Sequence, residues 1–577
     1  MEKIASFTAF LLANEIDVSP KLGFTYSPAR GYHVLLSSKL KKAIRSGTVL
    51  VRIPKSAVLC GSTSVLCNLL SDEQLGTTAG LVLSYLVERA MGKRSPWFAY
   101  LSMLPTCEDS CLRFWSLSER EWITGTDAID LLRAADTDLR EMYDEVAAPF
   151  FQENEAVLRS LIGDDSSFEW KVFTSQKTFY EAASVVAARC FEVDTFIGLG
   201  LVPVADLFNH SDDEDIRFES QFEVCEACGS NTACEHDAQS MKDAAGDSDE
   251  EDDDEENDEM DHDYDSDIAP PLEDVSSKDD ELSEESDDSD SEELSDTCDI
   301  VTRRHILPAP NLFKQNRELF NSYGSLNSSH LLVKYGFILR NNMHDYISLE
   351  REVRILYKEL GIMWHGDHDH DLDPDEERSV TDDMEIDRVH EVNGVVHDDH
   401  EKDQDGEEWE DVESDGGDGS SQSKYGSDSG EGSDDEEEEE DEELKIDNQG
   451  RLNIHLWNRV MVACMAANGD GFESESINLE HEALSILNNS PKRLLSKQSN
   501  LTRQALGTLL ILIERRQGKY PDGGLTSKEY SYMLSEEVPS IELSASDSKR
   551  RMAMTVLANE KQMLERARNR CEVALGK

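Results

Sequence analysis

Two long acidic stretches constrain what this chain can fold into more than any other feature. Residues 237–298 hold 30 acidic and two basic residues, and residues 366–447 hold 37 acidic and five basic residues. Segments with so much like charge and so few aromatic residues cannot bury enough apolar surface to offset the entropy lost on ordering. We therefore expect both stretches to be disordered, and the remaining 433 of the 577 residues to form the folded part.

The charge outside these stretches excludes several classes of protein. The whole chain carries a net charge of −67, but the remainder carries only −7. Phosphate binding needs clusters of Lys and Arg, and this chain has few, so we expect no direct contact with nucleic acid. The sequence also lacks the apolar run of about 18 residues that a membrane-spanning helix requires, so we expect no membrane association.

The N-terminus and the cysteines indicate the compartment. The segment Met1–Leu12 lacks the basic start, the long apolar core and the small-residue cleavage site of a signal peptide. The chain has 11 cysteines, an odd number that is scattered apart from one cluster. This usage suits reduced thiols better than a disulfide framework, so we expect a location in the nucleus, the cytoplasm or both.

Sequence periodicity predicts strands followed by helices in the first part of the chain. The runs His33–Leu36 and Thr48–Ile53 are apolar or β-branched and are bounded by Gly and Pro, which predicts short strands. From Thr77 onward the apolar residues follow helical spacing, and Leu131–Leu161 and Phe173–Phe191 continue this pattern.

The part of the chain after the second acidic stretch is predicted to be helical throughout. Leu452–Met465, Leu501–Arg516 and Lys549–Ala574 all carry apolar residues at helical spacing. Gly518 follows the second of these segments as a typical end signal. The chain therefore combines a mixed N-terminal unit with a helical C-terminal unit.

The most specific pattern consists of two short segments on either side of the first acidic stretch. The first reads Asp206-Leu-Phe-Asn209-His210-Ser211, and the second holds Tyr323-Gly, followed 12 residues later by Tyr335-Gly-Phe. In this order the motifs resemble those of SET-domain protein lysine methyltransferases, and most of all the branch of the Rubisco large-subunit and fungal ribosomal lysine methyltransferases. The resemblance covers about residues 4–342 apart from the acidic stretch, and more loosely the helical C-terminus.

The resemblance implies an α+β fold with a defined domain order. It implies a SET fold of small curved β-sheets with a helical insertion, followed by an all-helical C-terminal domain. We expect a SET catalytic domain at 1–342, which contains the helical insertion at about 66–191 and a disordered acidic insertion at about 237–298. We expect a connector at 343–365, a disordered acidic segment at 366–447 and a helical substrate-binding domain at 448–577.

The same resemblance implies that the chain binds S-adenosylmethionine. The family has a Gly-Xaa-Gly turn whose backbone contacts this cofactor, and here the turn reads Ala29-Arg30-Gly31. Alanine replaces the first glycine, and its Cβ could crowd a close approach of the cofactor. Asn209 and His210 match the residues that hold the amino-acid part and the adenine of the cofactor in the family.

Tyr323 is the residue to which the resemblance assigns catalysis. Its hydroxyl would face the methyl group of the bound cofactor and the reacting amine, orient the lone pair of the amine and assist its proton loss. Methyl transfer needs a neutral amine, although free lysine has a pKa of about 10.4. A narrow apolar channel lowers that pKa, and Tyr335 would line the channel. Outside this motif order, both tyrosines would be interpreted as ordinary core residues.

Two charged residues complete the expected site. Arg189 matches an arginine that faces both cofactor and substrate in the family, although Ala188 stands where the family has a serine. Asp206 matches an acid on the substrate side of the channel. Without the resemblance, Arg189 would be interpreted as a surface residue of a helix, and Asp206 as a residue that caps a turn.

A cluster of potential metal ligands lies just before the first acidic stretch. It reads Cys225-Glu-Ala-Cys228, followed by Cys234-Glu-His236. Three thiols and an imidazole form a ligand set of tetrahedral zinc. The second pair is closely spaced and the cluster borders the acidic stretch, so free thiols in a loop and redox pairing of the thiols stay open beside a zinc site.

The sequence therefore predicts an S-adenosylmethionine-dependent protein-lysine N-methyltransferase that is a monomer. Fungal relatives of similar length and acidity imply a ribosomal protein of the large subunit as substrate, with a histone or another nuclear protein as the alternative. The acidic stretches would attract a basic substrate or serve only as solvated linkers. An inactive SET-fold scaffold whose acidic stretches bind basic proteins is the remaining alternative, and Ala29 and Ala188 favour it.

Overall fold

The computed structural model describes eleven segments of the chain. They are residues 2–28, 30–37, 42–163, 168–232, 234–236, 296–306, 317–364, 443–468, 474–494, 499–535 and 544–577. The predicted disorder of the two acidic stretches falls almost wholly outside these segments, as does Ala29. The fold is therefore that of the less charged remainder of the chain.

Thirteen short strands lie among the described residues. They are β1 (Asp17–Val18), β2 (Leu22–Ser27), β3 (Gly31–Leu36), β4 (Val49–Pro54), β5 (Cys190–Asp194), β6 (Gly198–Leu201), β7 (Asn209–His210), β8 (Ile216–Ser220), β9 (Thr297–Thr302), β10 (Arg317–Glu318), β11 (Phe320–Asn321), β12 (Tyr346–Ser348) and β13 (Lys445–Asp447).

These strands form several small sheets rather than one large sheet. The largest has the order β1-β4-β9-β8, and a second has the order β10-β3-β2, all antiparallel. Two further antiparallel ladders join β5 to β6 and β12 to β13, and a parallel ladder joins β7 to β11. Sheets this small are stable only when packed, and buried apolar residues of β3, β4 and β9 belong to one core with the helices between β4 and β5.

Eighteen α-helices accompany the strands in the described segments. They are α1 (Glu2–Ala13), α2 (Asp72–Leu75), α3 (Thr78–Met91), α4 (Phe98–Leu101), α5 (Leu117–Arg120), α6 (Asp127–Glu141), α7 (Ala148–Glu153), α8 (Glu155–Ile162), α9 (Trp170–Phe173), α10 (Gln176–Ala187), α11 (Ser328–His330), α12 (Glu350–Leu360), α13 (Ile454–Asn468), α14 (Ser474–Asn489), α15 (Pro491–Leu494), α16 (Asn500–Gln517), α17 (Ser527–Ser535) and α18 (Ala545–Leu575). A search of the described residues found no helix with the length and apolar character to cross a membrane.

Helices α2–α10 all lie between β4 and β5, inside the range expected for the helical insertion. Helix α3 shows the local reasons for this structure: the Thr77 side chain accepts a hydrogen bond from the Gly80 N–H at 3.3 Å, and the helix ends at Gly92. The helix predicted over Phe173–Phe191 ends earlier than expected, at Ala187, because the chain then pairs as β5 with β6.

The C-terminal unit has a core of its own, built mainly by α12–α18. The C-terminal unit differs in two ways from the predicted helical domain at 448–577. The β12–β13 ladder belongs to this core through Ile347 and Ile446, and so does Val353 of α12. Part of the expected connector at 343–365 therefore packs inside the C-terminal unit.

The ends of both acidic ranges are ordered because they pair as strands. β9 begins at Thr297 and pairs with β4 and β8, which buries Cys298. β13 begins at Lys445 and pairs with β12. The last residues of 237–298 and 366–447 thus belong to the folded part, because backbone pairing and apolar burial can offset the conformational entropy that these residues lose.

One buried arginine connects the helical insertion to the C-terminal unit. The guanidinium of Arg516 in α16 lies 2.5 Å from the Asp127 carboxylate of α6 and 3.4 Å from the Glu560 carboxylate of α18. The Glu352 carboxylate of α12 is 4.0 Å away, and the Tyr520 hydroxyl donates to Glu560 at 2.6 Å. Burying one cation among several carboxylates is favourable only while all the partners are present.

Replacing Arg516 with methionine is expected to lower the free energy of unfolding by about 3–5 kcal/mol, because buried carboxylates lose their cation. Arg515→Met, at the position directly before Arg516, is the matched control. Arg515 forms a half-exposed pair with Glu359, and such pairs contribute at most about 1 kcal/mol. Urea unfolding followed by circular dichroism measures both variants, and equal losses would contradict the assignment.

Candidate functional site

The two motif segments found in the sequence lie side by side in the structure. β7 pairs in parallel with β11, so that Asn209 lies opposite Phe320 and His210 opposite Asn321. The backbone of Ser211 continues the pairing by donating to the Asn321 carbonyl at 2.9 Å. Two segments that are more than 100 residues apart in the sequence are thus hydrogen-bonded side by side.

Two hydrogen bonds hold Tyr323 within this structure. Its hydroxyl donates to the Phe208 carbonyl at 3.0 Å, and its backbone N–H donates to Nδ1 of His210, also at 3.0 Å. Burial raises the pKa of the Tyr323 phenol, although Arg189 acts in the opposite direction. The phenol is therefore neutral across the physiological range and has its oxygen lone pairs available as acceptors.

An aromatic cluster surrounds the Tyr323 ring. Its centroid lies 4.8 Å from that of Tyr335, 5.1 Å from that of His210 and 6.3 Å from that of Phe337. Burial also raises the pKa of the Tyr335 phenol. The structure thus brings together the two tyrosines predicted from the motifs, in a setting whose ring faces can attract a cation.

His210 is a neutral acceptor in this arrangement. Its Nδ1 accepts the Tyr323 N–H, which places the imidazole proton on Nε2, 3.4 Å from the Asp212 carboxylate. Burial lowers the pKa of His210, and Asp212 opposes that effect. The histidine therefore positions the backbone of Tyr323.

Arg189 lies between two carboxylates, one of which the sequence did not point to. Its Nε and Nη2 donate to Oε1 of Glu108 at 2.9 and 2.7 Å, and its Nη1 lies 3.9 Å from Oδ2 of Asp206. Burial would lower the pKa of Arg189, but the two carboxylates raise it above its ordinary value. The guanidinium is thus fixed beside the aromatic cluster as a permanent cation.

Asp206 is the most perturbed carboxyl of the site. Its side chain is fully buried, and burial raises its pKa to about 7, although Arg189 and the hydroxyl of Tyr100 favour the ionised form. A carboxyl with a pKa in this range changes its charge near neutral pH. Perturbed acids of this kind are concentrated at functional sites.

Asn209 and Arg30 both bind the carboxylate of Glu318, a residue that the sequence motifs do not indicate. Nδ2 of Asn209 donates to Oε1 of Glu318 at 2.7 Å, and Arg30 pairs with Oε2 of the same side chain. Glu318 belongs to β10, which pairs with the end of β3, the strand that begins at the predicted turn. Gly31 has φ +64°, and a Cβ there would meet no atom within 4 Å, so the space beside the turn is open.

Both missed residues are separated from their partners by long sequence distances. Glu108 follows Pro105 in a loop and has no motif around it, and Arg189 lies 81 residues further on. Glu318 comes two residues before Phe320 and directly follows the polar run Lys-Gln-Asn-Arg317, so it carried no local signal.

The Cys225, Cys228, Cys234 and His236 cluster is separate from this site. One potential ligand atom from each side chain lies within 4.8 Å of all the others. The cluster lies in the connection between β8 and β9, next to the turn that joins β5 to β6. It takes no part in the contacts around Tyr323.

Protonation of Asp206 is expected to make stability depend on pH. The folded state keeps the proton up to about pH 7, whereas the unfolded chain loses it near pH 4, so the free energy of unfolding falls as pH rises through that window. Asp206→Asn removes this contribution, and the exposed control Asp213→Asn keeps it. Urea unfolding at pH 5 and pH 8 measures the difference, and an unchanged pH dependence in Asp206→Asn would show the assignment to be wrong.

Comparisons with known proteins give the following relatives. No protein-family profile matches the chain. Over 350 residues it is 25% identical to ribosomal lysine N-methyltransferase 3 of Saccharomyces cerevisiae, an alignment that covers 55% of this chain and 60% of the yeast protein. It is 25% identical over 215 residues to N-lysine methyltransferase setd6 of Xenopus laevis, covering 36% of this chain and 46% of that protein. The chain thus matches less than two thirds of the length of either relative.

The fold matches solved structures over almost the whole chain. The crystal structure of the SET domain of LSMT bound to lysine and AdoHcy superposes with a TM-score of 0.52 at 13% identity, covering 99% of this chain and 91% of LSMT. The SET fold predicted from the motif order is therefore confirmed. The chain is a SET-fold protein, related in sequence to protein lysine methyltransferases.

Proposed function

We propose that this protein transfers a methyl group from S-adenosylmethionine to the ε-amine of a lysine in a basic protein. The observation that carries the proposal is the half-buried, neutral Tyr323 hydroxyl, fixed by the Phe208 carbonyl inside the aromatic cluster. The sequence relatives are named as lysine methyltransferases, and the matching structure holds lysine and AdoHcy.

The residues near the turn fit the amino-acid end of the cofactor. Because Nδ2 of Asn209 is used by Glu318, its Oδ1 can accept hydrogen bonds from an ammonium group. The open space beside Gly31 allows a close backbone approach, and Arg30 offers a cation to a carboxylate. We assign cofactor binding to Arg30, Gly31, Asn209 and His210; Ala29, the remaining member of the expected turn, lies outside the described residues.

The bound cofactor would supply an electrophilic methyl group on a sulfonium. Tyr323 donates its only hydroxyl proton to the Phe208 carbonyl, so its lone pairs can accept a hydrogen from the lysine amine and orient the nitrogen lone pair. The raised pKa of its phenol argues against Tyr323 as a general base. Its role is therefore orientation, in addition to contact with the cofactor.

The rest of the site would favour the neutral amine. Burial raises the pKa of both the Tyr335 and Tyr323 phenols, and the same loss of water would lower the pKa of a lysine amine placed beside their rings. The fixed charge of Arg189 disfavours an ammonium ion nearby. We assign Asp206 to the substrate side, where its ionised form, present above about pH 7, would attract the ammonium before proton loss. The Glu108 carboxylate keeps Arg189 in place.

We propose a ribosomal protein of the large subunit as the substrate, with the C-terminal helical unit as its binding domain. The name of the yeast relative supports a ribosomal target, and opposite charge would draw a cationic protein to the acidic stretches. The relative setd6 carries no ribosomal name, so a histone or another nuclear protein remains the alternative substrate. The monomeric state and the nuclear or cytoplasmic location stay predictions.

The Tyr323→Phe variant is expected to lower kcat/KM for methyl transfer by about 100-fold or more, because the amine loses its orienting acceptor. Tyr143→Phe is the matched control, since its hydroxyl also donates to a backbone carbonyl, that of Thr174 at 2.7 Å, but in the helical insertion. Transfer of radiolabel from methyl-labelled S-adenosylmethionine to salt-washed large ribosomal subunits and, separately, to core histones measures activity.

Three results of this assay would contradict parts of the proposal. Full activity in Tyr323→Phe would remove that residue from the reaction. Label in histones alone would replace the substrate and keep the chemistry. No transfer to either substrate, together with no cofactor binding in calorimetry, would favour the inactive scaffold.

Glu108→Gln is expected to keep the shape of the loop but to weaken its hold on Arg189, because an ion pair becomes a hydrogen bond in which only the guanidinium is charged. We expect a loss of about 10-fold in kcat/KM. Glu181→Gln, in the adjacent helix α10, serves as control. The assignment would fail if both variants had wild-type kinetics.

A further inference from the structure

The side chains of Cys225, Cys228, Cys234 and His236 form one compact cluster. The connection between β8 and β9 leaves the sheet after Ser220 and reaches Cys225 within five residues. One potential ligand atom from each side chain lies within 4.8 Å of the other three. Sequence spacing alone could not establish this, because the second pair of ligands has just one residue between its members.

The first two ligands are presented by a tight turn of defined geometry. The N–H groups of Cys228 and Gly229 both donate to the Cys225 carbonyl, at 3.3 and 2.7 Å, and the Cys225 N–H donates to the Ser230 carbonyl at 2.9 Å. Gly229 has φ +71°, and a Cβ there would lie 2.8 Å from the Phe196 ring. The turn therefore requires glycine, and it directs both thiols to the same side of the loop.

The second pair fits the same point despite its short spacing. Sγ of Cys234 lies 3.7 Å from Nδ1 of His236. In a tetrahedral site with Zn–S of about 2.3 Å and Zn–N of about 2.0–2.1 Å, the distance between a sulfur and a nitrogen ligand is about 3.5 Å. Use of Nδ1, which lies closer to the backbone than Nε2, allows two ligands only two residues apart to share one metal.

We infer that Cys225, Cys228, Cys234 and His236 bind a structural zinc ion. A disulfide would use only two of the three thiols and would give the imidazole no role. Calcium and magnesium prefer oxygen ligands, whereas three thiolates and one imidazole form a closed zinc set without an open position for a substrate. The metal therefore supports the fold rather than a reaction.

Hydrogen bonds just before the cluster hold the chain against the turn between β5 and β6. The Thr195 hydroxyl donates to the Val224 carbonyl at 2.7 Å, and its backbone N–H donates to the Phe222 carbonyl at 3.1 Å. Lys55, which pairs with the buried Asp194 carboxylate, also donates to the Gln221 carbonyl at 3.0 Å. Zinc binding at residues 225–236 would extend these contacts and fix where the chain enters residues 237–298.

The test measures metal in the full-length protein, purified without added chelator. We expect about one zinc ion per chain by mass spectrometry, and about one cobalt ion with thiolate and tetrahedral absorption bands after exchange. Cys225→Ser and Cys228→Ser should each lose the zinc under dialysis against a competing chelator. Cys67→Ser, at a half-buried thiol in the helical insertion, should keep it.

Two outcomes would overturn the inference. One is a wild-type protein that binds no zinc or cobalt even after reduction and reconstitution. The other is a zinc content that is unchanged in both variants, which would place the metal on residues outside the cluster. Metal content is read independently of methyl transfer, so failure of the proposed activity would leave this test intact.

Discussion

The parallel pairing of β7 with β11 is the constraint on which the candidate site depends. It joins two segments separated by the first acidic stretch, and it brings Tyr323 within hydrogen-bonding distance of His210. Two residue pairs alone would be a weak ladder, so the neighbouring contacts of Asp215 matter. This fully buried carboxylate accepts the Phe320 N–H at 3.3 Å and pairs with Arg304 at 2.8 Å, which fixes β11 beside the start of β8.

The helical insertion contributes carboxylates to two separate ion-pair clusters. To one it supplies Glu108, which holds Arg189 beside the aromatic cluster. To the other it supplies Asp127, which pairs with Arg516 of the C-terminal unit. Because each arginine is surrounded by carboxylates from separate elements, its position specifies how those elements pack. Such buried pairs add little to stability beyond a well-packed apolar contact, but they are costly to break.

Much of the site could be predicted from the sequence because its residues lie in short motifs. The order of the motifs around Asn209, His210, Tyr323 and Tyr335 was enough to predict the SET fold, which the structural comparison confirms. Glu108 and Glu318 could not be predicted, because each acts across a long sequence distance and lies in no recognisable motif. The helix predicted to reach Phe191 failed at its end for a similar reason, since pairing of β5 with β6 overrides helical periodicity.

The sequence by itself determined which parts of the chain could fold, since charge density and apolar content decide whether burial can offset the entropy of ordering. It also determined the residue types of the candidate site and of the Cys and His cluster. Only the tertiary structure decided which charged groups pair, why the carboxyl of Asp206 has a pKa of about 7, and that four potential ligand atoms lie within 4.8 Å of one another. These properties depend on distances and on exclusion of water, and both arise only when separate elements pack together.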